Sequence, residues 1–212
     1  MSVHGWSWND VDGEETASGV TWGEFHVVGT YDGSSFRVEQ VEPPQAREPD
    51  DGDPFETPCP EPAGGWTDVD PSATGEADQI AAMRTAEGIA DYAGLWISYL
   101  EEPSEFDPGP FVLNVAFTGD PKRYEGDLRA VWGGPLCVLS FDRTFRELRR
   151  AQHELSDGGA QTTGLELLWS SVDVLQNQVE LGVVVVEPGT ERALDATYGA
   201  GTVRLVPALR PV

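Results

Sequence analysis

Basic side chains are scarce in this 212-residue chain. Thirteen lysines and arginines stand against 37 acids, a formal net charge of -24, and Lys122 is the only lysine. Gripping a phosphate backbone takes a basic face, so the charge argues against direct nucleic-acid backbone binding. Long apolar runs are also missing: the stretch around Val183 to Val186 is strand-sized, far short of the ~20 residues of a membrane helix. Cysteine is limited to Cys59 and Cys137, too few for a four-thiolate zinc centre or a disulfide-rich mini-scaffold. The motifs G-x-S-x-G, S-x-x-K, H-E-x-x-H and C-x-x-C do not occur. The glycine-rich run Gly158 to Gly164 is followed by no P-loop lysine, and no cofactor is expected. His4, His26 and His153 have no triad setting, and His153 reads as a helix-surface residue. With 39% hydrophobic residues the chain is too apolar to be wholly disordered. What remains is an acidic globular protein of one or two domains.

The charge is unevenly placed. Residues 1–80 hold 18 acids against Arg37 and Arg47, and residues 81–212 hold 19 acids against 11 bases. The first segment is also rich in turn formers, as in Glu42-Pro43-Pro44 and Glu48-Pro49-Asp50-Asp51-Gly52-Asp53-Pro54. Proline removes donors and like charges repel, so 43–54 reads as an exposed acidic loop. Asp50, Asp51, Asp53 and Glu56 offer hard oxygen ligands for calcium, but their spacing does not fit an EF-hand loop.

Secondary structure is read from periodicity. The first 20 or so residues, with Trp6 and Trp8, show turn chemistry and no clear period. Trp22 to Val41 reads as a β-hairpin turning at Tyr31-Asp32-Gly33-Ser34. A helix is expected around 75–91, with Ile80, Met83 and Ala90 on one face. A second runs over 121–132, where Asp120 is a candidate cap, Pro121 takes the first position and Gly133-Gly134 ends it. A third runs over 145–155 behind a Thr144/Glu147 capping box, and a fourth over 191–198 ends at Gly199. Phe111 to Thr118, Leu136 to Phe141, Leu165 to Trp169, Val179 to Val186 and Val203 to Val206 are apolar strand runs. The fold class is therefore α+β, with α/β layering: an acidic β-rich region over 1–72, then a domain over 73–212 with helices packed on sheet.

That second domain contains itself twice, over about 92–141 and 165–207. Leu95-Trp96-Ile97-Ser98 aligns with Leu168-Trp169-Ser170-Ser171, and Phe111 to Thr118 aligns with Val179 to Val186. The helix ending at Trp132-Gly133 matches the one ending at Tyr198-Gly199, and Leu136 to Leu139 matches Val203 to Val206. Each copy is β-β-α-β, with the helix at 145–155 between them. On this reading Trp96, Trp132, Trp169 and Tyr198 serve core or sheet packing.

The segments Tyr92-Ala93-Gly94-Leu95-Trp96-Ile97-Ser98, Phe145 to Gln152 and Val172-Asp173 with Asn177 to Leu181 resemble the pro-segments of bacterial secreted serine proteases of the α-lytic/streptogrisin type. The resemblance covers about 90–186. It rests on an aromatic strand pair, an amphipathic helix and a hairpin, and it implies a binding, folding-assistant or inhibitor role. No protease domain accompanies these segments, and Gly-Asp-Ser-Gly does not occur. The chain is also similar to uncharacterised actinobacterial extracytoplasmic proteins.

Cys59, flanked by prolines, and Cys137, inside an apolar strand, are read two ways. Exported, they form a disulfide that pins the N-terminal region to the α/β domain; otherwise they are separate thiols. No signal peptide is visible, so the compartment is either extracytoplasmic, with the signal trimmed, or cytoplasmic. The leading functional expectation is a non-enzymatic binding or structural module whose acidity favours a basic protein partner. The alternatives are an enzyme with a carboxylate site between the two repeats, and a nucleic-acid mimic.

Overall fold

A computed structural model describes residues 1–43, 55–102, 104, 109–159 and 164–211. Asp50, Asp51 and Asp53, loop residues 44–54 and residues 160–163 of the glycine-rich run lie outside the described residues. The chain divides into two compact units, Met1–Asp51 and Gly52–Val212.

The first unit is β-rich. Strands β4 (His26–Tyr31) and β5 (Ser35–Glu42) form the expected antiparallel hairpin. Its turn is built by Asp32, whose carboxylate accepts hydrogen bonds from the backbone N–H groups and hydroxyls of Ser34 and Ser35. Those four donors hold the Asp32 carboxyl well below the ordinary carboxylate range. Strand β1 (Ser2–His4) adds to β5 in parallel, and β2 (Glu15–Ala17) pairs with β3 (Val20–Trp22) in a separate ribbon. The sequence shows turn chemistry over these first residues, and the structure corrects that. The two early strands have three exposed residues each, too short and too evenly wet to carry an alternation. Trp6, Trp8 and Phe25 meet edge to face at 5.0–6.2 Å, and Phe36 is the buried hydrophobic side chain among the unit's described residues.

The second unit contains two three-stranded sheets of one topology. In the first sheet β6 (Tyr92–Tyr99) runs antiparallel to β7 (Phe111–Thr118), and β7 is parallel to β8 (Leu136–Phe141). In the second, β9 (Leu167–Asp173) runs antiparallel to β10 (Gln178–Val183), which is parallel to β11 (Val203–Pro207). Each parallel pair is bridged by a helix, α2 (Lys122–Arg129) in the first and α4 (Thr190–Tyr198) in the second. A further helix precedes each sheet: α1 (Glu76–Gly88) and α3 (Phe145–Glu154).

The cores show that these preceding helices belong to the repeat. Ala82 and Ala86 of α1 share one cluster with Leu113, Val115 and Phe117 of β7, Leu128 of α2, and Trp132 just beyond it. Leu148 and Ala151 of α3 share another with Val179, Leu181 and Val183 of β10 and Leu194 of α4. The unit of repetition is thus α-β-β-α-β, and the helix expected between the copies is the first helix of the second copy. On α1 the buried face is Ala82 and Ala86, with Ile80 40% exposed, which corrects the expected Ile80, Met83, Ala90 face. Small side chains let this helix lie close to the sheet.

Backbone register aligns the copies residue by residue. Leu113 N–H donates to Pro135 C=O at 3.0 Å, and Val179 N–H donates to Thr202 C=O at 2.8 Å. Leu113 pairs with Ile97 and Leu136, and Val179 pairs with Val172 and Val203. The partner of Trp96 in the second copy is therefore Ser171, while Trp169 falls opposite Gly94. The Trp96–Trp169 alignment is corrected by two residues, a slip that keeps every side chain on its own face. Trp169 is 44% exposed and lies over Gly182, where an added Cβ would sit 2.0 Å from its Nε1.

Candidate functional site

One face of the first sheet is covered by α1 and α2. The other receives an irregular segment, Phe55 to Trp66, that carries Pro58, Pro60 and Pro62. Proline supplies no N–H, so such a strap crosses a sheet face with few donors to satisfy. It crosses the strands in order. The Ser98 hydroxyl of β6 donates to the Phe55 carbonyl, the Thr57 hydroxyl donates to Asn114 Oδ1 of β7 at 2.6 Å, and Cys59 lies at disulfide distance from Cys137 of β8. Alternate residues 55, 57 and 59 make the attachments, as expected of an extended segment.

Asn114 is fully buried and holds this arrangement together. Its amide nitrogen reaches Ser98 Oγ at 2.8 Å, Val112 C=O at 3.2 Å and Trp96 C=O at 3.4 Å. A buried amide in a polar cluster this complete adds no unsatisfied group to the interior. Nearby, Trp96 stacks on Phe141 with centroids 6.1 Å apart and packs with Ala93, Ala116 and Leu175. Among the described residues its Nε1 is buried without a hydrogen-bond partner.

Both cysteines lie in the second unit. Their Cα atoms are 5.8 Å apart and 78 residues separate them in sequence. The pairing therefore ties the strap to the sheet beneath it. The strap turns at Gly64-Gly65, both at positive φ and closed by Gly65 N–H to Pro62 C=O at 2.9 Å, just before Trp66.

Between strap and sheet edge opens a cleft of about 490 Å3. Glu56, Thr57, Cys59, Glu61 and Trp66 line it from the strap, and Ser98, Tyr99 and Leu100 line it from the end of β6. The volume lies within the ~300–1,000 Å3 of small-ligand sites. The strap contributes Glu56, Glu61 and Trp66, the Tyr99 ring packs edge to face on Phe111 of the helix-covered face, and the Ser98 and Thr57 hydroxyls are already engaged. Ser98 donates to Phe55, Thr57 donates to Asn114, and Cys59 is tied to Cys137. The histidines lie elsewhere: His26 sits 3.1 Å from Glu42 in the first unit, and His153 sits 2.8 Å from Asp157 at the end of α3.

The junction between the two copies is filled. Leu175, at the tip of the β9–β10 hairpin, packs on Trp96 and Ala93, and Tyr92 meets Phe145 at 5.8 Å. Burial, with the negative charge of Glu87 beside it, pushes the Tyr92 phenol up to about 12. Arg143 stitches the junction by donating to Asn177 C=O, Ala200 C=O and the Thr202 hydroxyl, while Asn177 exchanges two hydrogen bonds with the Arg143 backbone.

Of the sequence candidates, Cys59 and Cys137 come together, and Glu56 lies in the cleft lining, apart from the calcium reading that named it. Among the described residues no group of three or more His, Cys, Asp or Glu is placed to hold a metal ion. No described helix is long and apolar enough to cross a membrane. The sequence does not single out Glu61, Trp66 and Tyr99; for the first two the signal is the Pro-Cys-Pro run followed by Gly-Gly-Trp, and for Tyr99, at the end of β6, there is none. Compared with known protein families and with curated proteins, the chain matches no family model and no curated sequence.

Proposed function

We propose that this protein is a non-enzymatic binding module for a protein partner with a basic surface, working in an oxidising, extracytoplasmic setting. The observation that carries the reading is the cleft: carboxylates and the Trp66 indole line it, and the Ser98 and Thr57 hydroxyls and the Cys59 sulfur are committed to structural bonds. The net charge of -24 adds a long-range field that steers basic partners. Disulfides persist in oxidising compartments, which supports the setting. The resemblance to protease pro-segments, a binding or folding-assistant class, agrees with this role.

Calorimetric titration with folded basic proteins tests it at about 0.15 M salt, where the Debye length is about 8 Å. The expected result is saturable, stoichiometric heat that weakens as salt is raised. Heats no larger than those from an acidic protein of similar size overturn the reading.

A further inference from the structure

The open face of the second sheet holds an exposed tryptophan in a fixed pose. Leu181 of β10 and Leu205 of β11 belong to the helix-covered core. Side chains alternate, so Trp169, Gly182 and Val206 form one row on the opposite face, and Ser171, Glu180 and Arg204 form the next. A Cβ added at Gly182 would sit 2.0 Å from Nε1, 2.3 Å from Cε2 and 2.4 Å from Cδ1 of Trp169. Near-equal distances to three bonded ring atoms mean that the indole lies face-on above Gly182; an edge-on approach to Nε1 would leave its two neighbours much farther away. An aromatic ring laid over a strand glycine stabilises a sheet, which accounts for the inner ring face. Trp169 is 44% exposed, and its outer ring face is open. The first copy has no such platform, because Gly94, Ala116 and Leu139 hold the matching row.

The neighbouring row sets the chemistry of an occupant. Arg204 Nη1 donates to Glu180 Oε1 at 3.0 Å, with the Arg204 side chain 59% exposed. The pair is charge-balanced: a cation meets Arg204 and an anion meets Glu180. The net charge of -24 further opposes an anion, and it opposes a second copy of the chain. Guanidinium donors, carboxylate acceptors and the Ser171 hydroxyl stand side by side, which suits neutral groups that both donate and accept, as neighbouring sugar hydroxyls do. A proline-rich peptide also stacks on indole, but its prolines bring carbonyl acceptors without N–H donors and leave Glu180 unanswered.

We propose that this face binds a neutral saccharide, with the C–H face of one pyranose ring seated on the outer face of Trp169 and its rim hydroxyls on Glu180, Arg204 and Ser171. The electron-rich ring face attracts the weakly positive C–H hydrogens, and seating the sugar removes apolar surface of both partners from water. The flat pose of the indole is set before the ligand arrives, which lowers the ordering cost. The site lies on the other copy from the cleft and does not rest on the binding-module reading.

The probes are neutral β-linked oligosaccharides of glucose, mannose and N-acetylglucosamine, with an oligogalacturonate and an oligoproline as controls. Each is titrated into isotope-labelled full-length protein and followed by nuclear magnetic resonance. At least one neutral oligosaccharide should shift the Trp169 indole N–H and the amides of Ser171, Glu180 and Arg204 in one saturable process, and both controls should leave them in place. Trp169→Ala should abolish the response, and Trp169→Phe, which keeps a ring over Gly182, should retain part of it. Gly182→Ala deletes no binding group but lifts the indole from its pose, and should weaken binding several-fold. The double variant Glu180→Gln/Arg204→Gln should also weaken it several-fold. The spectrum of each variant reports whether it is folded; if Trp169→Ala is not, Gly182→Ala and the double variant decide. No response to any neutral oligosaccharide, shifts scattered over the molecule, unchanged binding in folded Trp169→Ala or in Gly182→Ala, or equal binding of either control overturns the site.

Discussion

The two copies of the α-β-β-α-β unit share their topology and their helix-covered face, yet treat the opposite face in contrary ways. In the first copy Asn114 pairs with Trp96 and Cys137, and all three are buried, with Cys137 at 1% exposure. In the second copy the same register positions hold Glu180, Ser171 and Arg204, and Arg204 donates to Glu180 at 3.0 Å in the open. One face is roofed by a disulfide-tethered strap; the other is finished with a solvated ion pair. A small three-stranded sheet folds either way, provided its helix side is apolar. The difference also locates the cleft: the roofed copy carries it, and the roof supplies most of its walls.

Cutting the tether should have the largest effect, felt first in one copy. A cross-link that closes a loop of 78 residues removes unfolded-state entropy worth about 4.5 kcal/mol in the loop-closure model. Reduction, or a Cys59→Ser/Cys137→Ser variant, should lower the unfolding free energy by about that much in denaturant titrations. Hydrogen exchange should accelerate first at the strap and along β6, with β9 and β10 following the global change. A loss of under about 1 kcal/mol, or exchange that quickens equally in both sheets, contradicts a tether that serves one face.

The next test substitutes register-matched residues. Asn114→Ala leaves the Thr57 and Ser98 hydroxyls short of a buried partner, a cost of about 1–3 kcal/mol. Glu180→Ala removes one partner of an exposed pair and should cost less than about 1 kcal/mol. Chemical denaturation of the two variants side by side measures the asymmetry. Equal losses would show that the roof contributes nothing to the buried amide.

Much of this architecture is legible from residues alone, for reasons that also say where legibility stops. Helix α3 announces itself because Thr144, Glu147 and the Leu148, Ala151, Leu155 stripe are local signals that agree with one another, and the structure keeps all of them. The repeat is legible because apolar periods survive in both copies. Its leading helices fall outside the two β-β-α-β copies on sequence, because α1 buries alanines that carry little hydrophobic signal and the clear α3 is left with no counterpart to match. The Trp96–Trp169 slip has a similar origin: matching tryptophans attract an alignment, whereas register is set by backbone pairing that no single residue encodes. The cleft is the least legible part. Its walls come from an irregular strap and a strand end, and only the three-strand attachment brings Glu61 and Trp66 near Tyr99. Gly133 teaches the same lesson. It reads as a helix stop, but an added Cβ would meet the Asp70 carbonyl at 2.1 Å, and its backbone bonds Val69, Asp70 and Ala73. Close approach is the reason for glycine there.

A smaller contrast than the tether or the buried amide separates the opening turns of the two leading helices. At α1 the residue before the helix is Gly75, which has no side chain, so only Asp78 reaches back, accepting from Gly75 N–H at 3.0 Å. At α3 the exchange is complete: Glu147 N–H donates to the Thr144 hydroxyl oxygen, and the Glu147 carboxylate accepts from Thr144 N–H at 2.8 Å. Thr144→Ala should therefore cost about 1 kcal/mol. The Thr144 N–H first, and then the Thr144 hydroxyl donating to the same carboxylate at 2.8 Å, hold the Glu147 carboxyl below the ordinary glutamate range. With the folded value below the unfolded one, the unfolded chain binds the extra proton, and stability rises with pH across that interval. The contribution is complete above the ordinary glutamate range, near pH 4–5, and fades as pH falls through the lowered folded value. Thermal melts of the native protein and Glu147→Gln should differ most above pH 5 and converge towards pH 3. A gap that widens on acidification would assign the cap's stability to something other than the ionised carboxylate.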